Sequence, residues 1–211
     1  SYTITINPTP IVNDPANQTV CNGSLTSAVA FQGYTGTIYN WNNTMPSIGL
    51  AASGTGDISA FTGQNSGTSP LVGTIQVTPQ YLYAGLSCYG TAETFTITVN
   101  PTPSLVDPAN QTVCNGASTS LVNIVGTGTS YTWVNNNNTI GLGDNGSGNI
   151  PAFNATNGSS TPAVALVTFT PIFEGGGISC PGPTQTMSFT VNPTPSMTAP
   201  GSQVICNSSL T

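Results

Sequence analysis

The side chains able to do covalent chemistry in this chain of 211 residues are five cysteines, at Cys21, Cys88, Cys114, Cys180 and Cys206. Their spacing holds no Cys-x-x-Cys pair and the chain has no histidine, so a zinc site is not expected and disulfide formation is the chemistry left open. Disulfides persist in oxidising compartments, which places the expected location outside the cytoplasm. The six acidic residues are the other reactive groups. Asp14, Asp107 and Glu93 are considered as calcium ligands, since carboxylates supply the hard oxygens that calcium prefers. Turn chemistry at Asp-Pro is the competing reading. The third counterpart of the aspartates is Ala199, and one or two carboxylates per site are few. A carboxylate pair for glycoside hydrolysis is not sustained either, because Asp57 becomes Asn149 in the second copy of the repeat described below. No catalytic, cofactor-binding or metal-binding residues are therefore assigned, and the expected cofactor set is empty, with calcium as the minority alternative.

Composition excludes more. The chain contains no Lys and no Arg, its formal net charge is -6, and charged residues make up 3% of it, against about 25% in an ordinary soluble domain. Nucleic-acid binding depends on cations that neutralise phosphate, and so does attachment to an anionic membrane surface. Neither partner is expected. No apolar run reaches the length of a membrane helix, so direct membrane insertion is not expected. With 37% hydrophobic residues the chain has enough apolar material to fold. Its Gly, Asn, Thr and Pro between short β-branched runs point to strands joined by tight turns.

The elements that must position the cysteines come in copies. Asn-Pro-Thr-Pro begins at Asn7, Asn100 and Asn192, at periods of 93 and 92 residues. Asp14-Pro-Ala-Asn-Gln-Thr-Val-Cys21-Asn-Gly23 returns as Asp107 to Gly116, and more loosely as Ala199 to Asn207. Tyr39-x-Trp41 returns as Tyr131-x-Trp133, Cys88 as Cys180, and Phe95-x-Ile97-x-Val99 as Met187-x-Phe189-x-Val191. The expected organisation is the last strand of a preceding repeat over 1–7, repeats over 8–100 and 101–192, and the start of a following repeat over 193–211. A slice of a longer array is expected. Within each copy, apolar residues alternate in short runs. Phe95, Ile97 and Val99 are expected to face in, and the runs through Val77 and Phe169 to end at Pro79 and Pro171. About seven such strands per copy is the profile of an immunoglobulin-like β-sandwich.

The repeat sorts the cysteines into a leading set, Cys21, Cys114 and Cys206, and a trailing set, Cys88 and Cys180. Pairing within a repeat joins Cys21 to Cys88 and Cys114 to Cys180, leaving Cys206 unpaired by truncation. A staple across the joint, Cys88 to Cys114, is the alternative. Trp41 and Trp133 are expected in the core over the disulfide of their own repeat, with a Tyr and Trp sugar-stacking platform as the alternative. The prolines of Val-Asn-Pro-Thr-Pro leave little slack between repeats, so neighbouring repeats of the same chain are expected as partners in a semi-rigid rod of about 35–45 Å per repeat.

Asn-Pro-Thr-Pro, Asn-Gln-Thr-Val-Cys-Asn-Gly, Tyr-x-Trp, Ile-Gly-Leu-Ala-Ala-Ser-Gly-Thr-Gly-Asp-Ile and Phe-Thr-Ile-Thr-Val-Asn-Pro-Thr-Pro together cover nearly the whole chain. As a set they resemble the PKD-like tandem repeats of giant surface proteins in gliding bacteria of the Bacteroidetes group. That resemblance implies an all-β, immunoglobulin-like fold, export by the type IX secretion system, and long cell-surface filaments of the gliding-adhesin type, without catalytic residues in the repeats. Two functions follow as expectations. One is a mechanical stalk of a cell-surface adhesin whose distal surface or polysaccharide ligand binds through other regions; the other is a polysaccharide-binding array, with Tyr81, Tyr83 and Tyr89 as contacts.

Overall fold

The computed structural model describes residues 2–204, 206 and 207. Six strands make the first sheet: β1 (Gln18–Cys21), β2 (Thr37–Asn43), β3 (Ser53–Thr55), β4 (Leu71–Tyr83), β5 (Leu86–Tyr89) and β6 (Glu93–Asn100). Their order is β1-β6-β4-β2-β3, with β5 paired to the far part of β4. The second sheet repeats this with β7 (Gln111–Cys114), β8 (Ser130–Asn135), β9 (Asn145–Ser147), β10 (Ala163–Gly175), β11 (Ile178–Pro181) and β12 (Gln185–Asn192), in the order β7-β12-β10-β8-β9. β1 runs parallel to β6, and β7 to β12; the other pairings are antiparallel. The first strand of each module thus ends beside the residue where the chain leaves that module.

Alternation along the strands decides which face is covered. Phe95, Ile97 and Val99 of β6 and Ile75 and Val77 of β4 are buried, whereas Thr94, Thr96 and Thr98 are not. Over this face lie two extended segments that meet through the bridges Leu25 to Thr62 and Val29 to Ile58, and they contribute Val29, Phe31 and Ile58 to the core. The second module closes in the same way around Val122, Ile150, Val167, Phe169, Phe189 and Val191. Each module is therefore a two-layer, immunoglobulin-like β-sandwich with its own core.

The repeated polar residues hold this scaffold by neutral hydrogen bonds. Asn17 Oδ1 accepts from Thr96 N at 2.7 Å, tying the approach to β1 onto β6; Asn110 does the same with Ser188 N at 2.7 Å. Gln18 clips the backbone of Ser27 by donating to its carbonyl (3.1 Å) and accepting from its N–H (2.8 Å), and Gln111 repeats the clip on Ser120. Buried Asn43 donates to Leu50 O and accepts from Met45 N, and buried Asn65 donates to Val99 O and Ser69 O. Asn135 and Asn157 stand in their places in the second module. Such bonds satisfy loop backbone inside the protein without burying charge.

Two expectations need correction. β4 and β10 do not end at Pro79 and Pro171 but run on to Tyr83 and Gly175. On one edge of β4 the ladder to β6 stops at Val77 and the ladder to β5 starts at Gln80, so Pro79 sits in the gap. Its carbonyl accepts from Gly90 N on that edge, and the N–H that proline lacks would have pointed into the same gap. Pro171 does the same with Gly182. Residues 2–7, expected as a strand, form none among the described residues; a strand needs a neighbour to complete its ladder.

Candidate functional site

The one disulfide among the described residues joins Cys21 to Cys180, with Cα atoms 5.6 Å apart and 159 positions apart in sequence. It links a leading cysteine of the first module to the trailing cysteine of the second. Cys88, Cys114 and Cys206 are free. The expected pairs Cys21 with Cys88 and Cys114 with Cys180 are thereby replaced, and strand register gives the reason. Cys21 lies opposite Asn100, one position beyond the pairing of Val99 with Leu71, while Cys88 lies opposite Tyr81. The two cysteines of one module are separated by eleven positions of β4, roughly 36 Å at about 3.3 Å per residue. A disulfide requires Cα atoms within about 7 Å. The second module has the same register, with Cys114 opposite Asn192 and Cys180 opposite Phe173.

Each module therefore has a leading pole, where its first and last strands end, and a trailing pole at the hairpin of its long strand. The joint brings the leading pole of the first module against the trailing pole of the second. The alternative staple, Cys88 to Cys114, fails because those cysteines occupy the two outer poles. A covalent staple does cross the joint, but the other two cysteines make it.

Around the bond the motifs acquire roles. Asn100, from Asn-Pro-Thr-Pro, is 1% exposed and donates Nδ2 to Gly175 O at 2.8 Å across the joint. Its Oδ1 is buried without a partner. Thr102 Oγ1 accepts from Asn22 Nδ2 at 3.0 Å, and Asn22 Oδ1 accepts from Asn65 N at 2.8 Å, so Cys21-Asn22 is tied to both the linker and the buried loop. Asn115 makes the equivalent bonds to Thr194 and Asn157. The hairpin tip Gly175-Gly176 approaches so closely that a Cβ on Gly176 would press on the side chain of Thr19, and one on Gly175 would meet the Asn100 amide. Glycine there permits contact between two backbones. The one mark that these joint residues carry in the sequence as a group is the fixed distance between Asn-Pro-Thr-Pro and Cys-Asn-Gly.

Trp41 and Trp133 lie in the module cores, each 7% exposed. The disulfide expected beneath them is absent; each indole instead covers a glycine, Gly54 or Gly146, where a Cβ would overlap the ring. Trp41 Nε1 donates to Gly56 O at 3.2 Å. Tyr39, half-buried beside Phe31, has its phenol pushed above the ordinary value by burial and by the negative charge of Asp57. Asp57 Oδ1 accepts from Phe31 N at 2.9 Å, and Asn149 Oδ1 serves Ile124 N at 2.8 Å, so a neutral amide replaces the carboxylate without losing the bond.

The acids considered for calcium do not converge. Asp14 and Asp107 are exposed, Glu93 lies at the start of β6, and among the described residues no three His, Cys, Asp or Glu side chains come together as a metal site. Shallow grooves of about 410 and 370 Å³ recur beside β1 and β7, lined by Pro15, Ala16 and Val29 and by Pro108, Ala109 and Val122 among others. Among the described residues, no helix is long and apolar enough to cross a membrane.

No protein-family model matches the chain, and no curated protein matches it. Solved structures with some likeness include the tandem Ig repeats of Dlar, at 14% identity over 87% of this chain and 99% of that one, TM-score 0.28. The N-terminal Ig1-2 module of the Drosophila receptor protein tyrosine phosphatase DLAR has 13% identity over 86% and 99%, TM-score 0.32. The human mucin-like protocadherin EC1-2 has 12% identity over 88% and 98%, TM-score 0.37. At these scores the likenesses carry no weight for function.

Proposed function

We propose that the chain is a non-catalytic stalk segment of an extracellular, cell-surface adhesin filament, of the kind used in surface attachment or gliding motility. The observation that carries this reading is the Cys21–Cys180 bond, which clamps successive sandwiches pole to pole. A bond between modules resists bending and separation at the joint, which is what a load-bearing spacer needs. It also favours an oxidising location. Export by the type IX route and the gliding-adhesin assignment rest on the sequence resemblance. Small-angle scattering of the oxidised chain is expected to give an elongated, two-module particle; a compact globule with the modules folded side by side overturns the stalk.

The polysaccharide-binding array remains as a second reading because of one feature. The β4–β5 hairpin exposes Leu82, Tyr83, Leu86 and Tyr89, an apolar and aromatic tip suited to sugar faces. The second module has Glu174, Gly175, Ile178 and Pro181 at those positions. A glycan array probed with the chain is expected to show no hits on the stalk reading, and hits abolished by Tyr83→Ala with Tyr89→Ala on the array reading.

A further inference from the structure

We infer that Cys21–Cys180 is one bond of a shifted series, in which the leading cysteine of each module closes on the trailing cysteine of the next. Cys114 then takes the trailing cysteine of a module that follows, and Cys88 the leading cysteine of a module that precedes. The occupant in each case is another module of this same kind.

Three observations carry this. Register holds the two cysteines of a module at opposite poles, so neither can satisfy the other. Cys114 matches the bonded Cys21 in strand position, in its partner residue, Asn192 for Asn100, and in the adjoining Asn115 to Thr194 bond. Cys88 matches the bonded Cys180, opposite Tyr81 as Cys180 is opposite Phe173, behind a hairpin tip of the same length. The bonded pair thus shows what geometry the free pair awaits. Each bond forms as two thiols pass two electrons and two protons to a disulfide oxidant, such as oxidised glutathione or a thiol–disulfide oxidoreductase, which leaves as two thiols.

The series changes what tension meets. From Cys21 the shortest covalent path crosses to Cys180, runs 26 residues to the next leading cysteine, Cys206, and would cross again. At about 3.5 Å per extended residue that path is about 95 Å per two modules, against roughly 70–90 Å for two folded modules. Without the bonds the same stretch of chain extends to about 650 Å. A second path through Cys114 interleaves with the first. An oxidised array of this kind is nearly inextensible even where its sandwiches unfold.

The test lengthens the chain by a second copy of residues 101–192 placed after Asn192, tagged by Thr184→Ser in the inserted copy so that its trailing cysteine peptide is distinguishable by mass. The lengthened chain is oxidised with glutathione and digested unreduced with chymotrypsin, since trypsin has no site. The expected bonds are Cys21 to Cys180 and Cys114 to the tagged trailing cysteine. A bond between Cys114 and Cys180, or Cys114 left as a thiol beside a free tagged cysteine, overturns the inference. Should the lengthened chain not fold, the Cys21→Ser variant of the 211-residue chain serves. Cys180 is then expected as a glutathione adduct, and its closure onto Cys114 overturns the polar arrangement. Both readouts are independent of adhesion, so a failed stalk reading leaves them intact.

Discussion

The β4–β5 and β10–β11 hairpins occupy the same place in two copies of one fold, yet one is docked and the other is free. The docked tip reads Glu174-Gly-Gly-Gly177 and lies against Thr19 and Asn100 of the preceding module; the free tip reads Leu82-Tyr-Ala-Gly85 and exposes its side chains. Their cysteines differ accordingly, Cys180 bonded and Cys88 a thiol. The leading poles show the same contrast: Asn100 is 1% exposed under the hairpin, whereas Asn192 is only half-buried. A module's sandwich is thus indifferent to its neighbour, and what the neighbour fixes is confined to the two poles.

The largest way to break this contrast is to remove the staple. In the chain-entropy model a bond closing 159 positions is worth about 5 kcal/mol against full unfolding, but its mechanical effect is the more direct. Pulled from its ends, the oxidised chain carries load through Cys21 and Cys180, so the residues between them add no length even if their strands come apart. Reduction, or Cys21→Ser, is expected to add about 550 Å of contour length, at about 3.5 Å per residue, and to reveal two unfolding steps of similar size. Single-molecule force spectroscopy on both forms decides it, and equal contour lengths would falsify the staple. Cys88→Ser is expected to change nothing in the same chain.

Next come the tips. Ala84 is the one non-glycine residue with positive φ among those described, at φ 49, and its counterpart Gly176 has φ 60 with Thr19 against it. An alanine at such a φ costs about 1–3 kcal/mol, and at 176 a new Cβ also forces the joint apart. Gly176→Ala is expected to lower the melting temperature of the oxidised chain by several degrees. Ala84→Gly relieves strain but loosens the unfolded chain, so its net effect is expected within about 1 kcal/mol of zero. Effects equal in size and opposite in sign at the two positions would mean that docking adds nothing to the strain.

A smaller difference separates the asparagines. Asn100→Ala removes the donor to Gly175 O and leaves that carbonyl in a covered joint, a loss of about 1–3 kcal/mol. The unpaired Oδ1 of Asn100 disappears with it, which moves the expected loss to the low end of that range. Asn192→Ala, at the free pole, is expected to cost less than about 0.5 kcal/mol. Chemical denaturation of the two variants measures the gap.

The division between module and pole also explains what the sequence could disclose. Alternation in Phe95-Thr-Ile-Thr-Val99 and the 92-residue repeat lead directly to the sandwiches, because burial of one strand face is a local property. The bond was not legible in the same way. A repeat shows that Cys21 and Cys114 are equivalent, but not which copy supplies the partner; that depends on register along β4, set by long-range pairing of Leu71 with Val99 and of Tyr81 with Cys88. The extension of β4 beyond Pro79 has the same origin, since only the gap between two ladders makes a proline tolerable there. Asn43, Asn65 and Asn100 were hidden for a different reason: in a chain so rich in asparagine, a buried one carries no local mark.

The finest contrast between the modules is a single charge. Tyr39 sits beside Asp57, and burial together with that carboxylate raises its phenol above the ordinary 10.0. Asn149 stands where Asp57 does, so the second module has no charge at this place. Above about pH 10 the unfolded phenol loses its proton while the folded one keeps it, so the folded state binds more protons and stability falls as pH rises. The Tyr39 contribution is therefore present in full below about pH 10 and lost as pH climbs through the raised value. Melting the native chain, Tyr39→Phe and Asp57→Asn side by side is expected to show matching pH slopes up to about pH 9 and a shallower alkaline fall in both variants. The effect in Asp57→Asn is expected to be the smaller of the two, because burial, the larger cause, remains. If Asp57→Asn removed the alkaline fall entirely, the carboxylate and not burial would govern Tyr39, and the two modules would differ in their cores as well as at their poles.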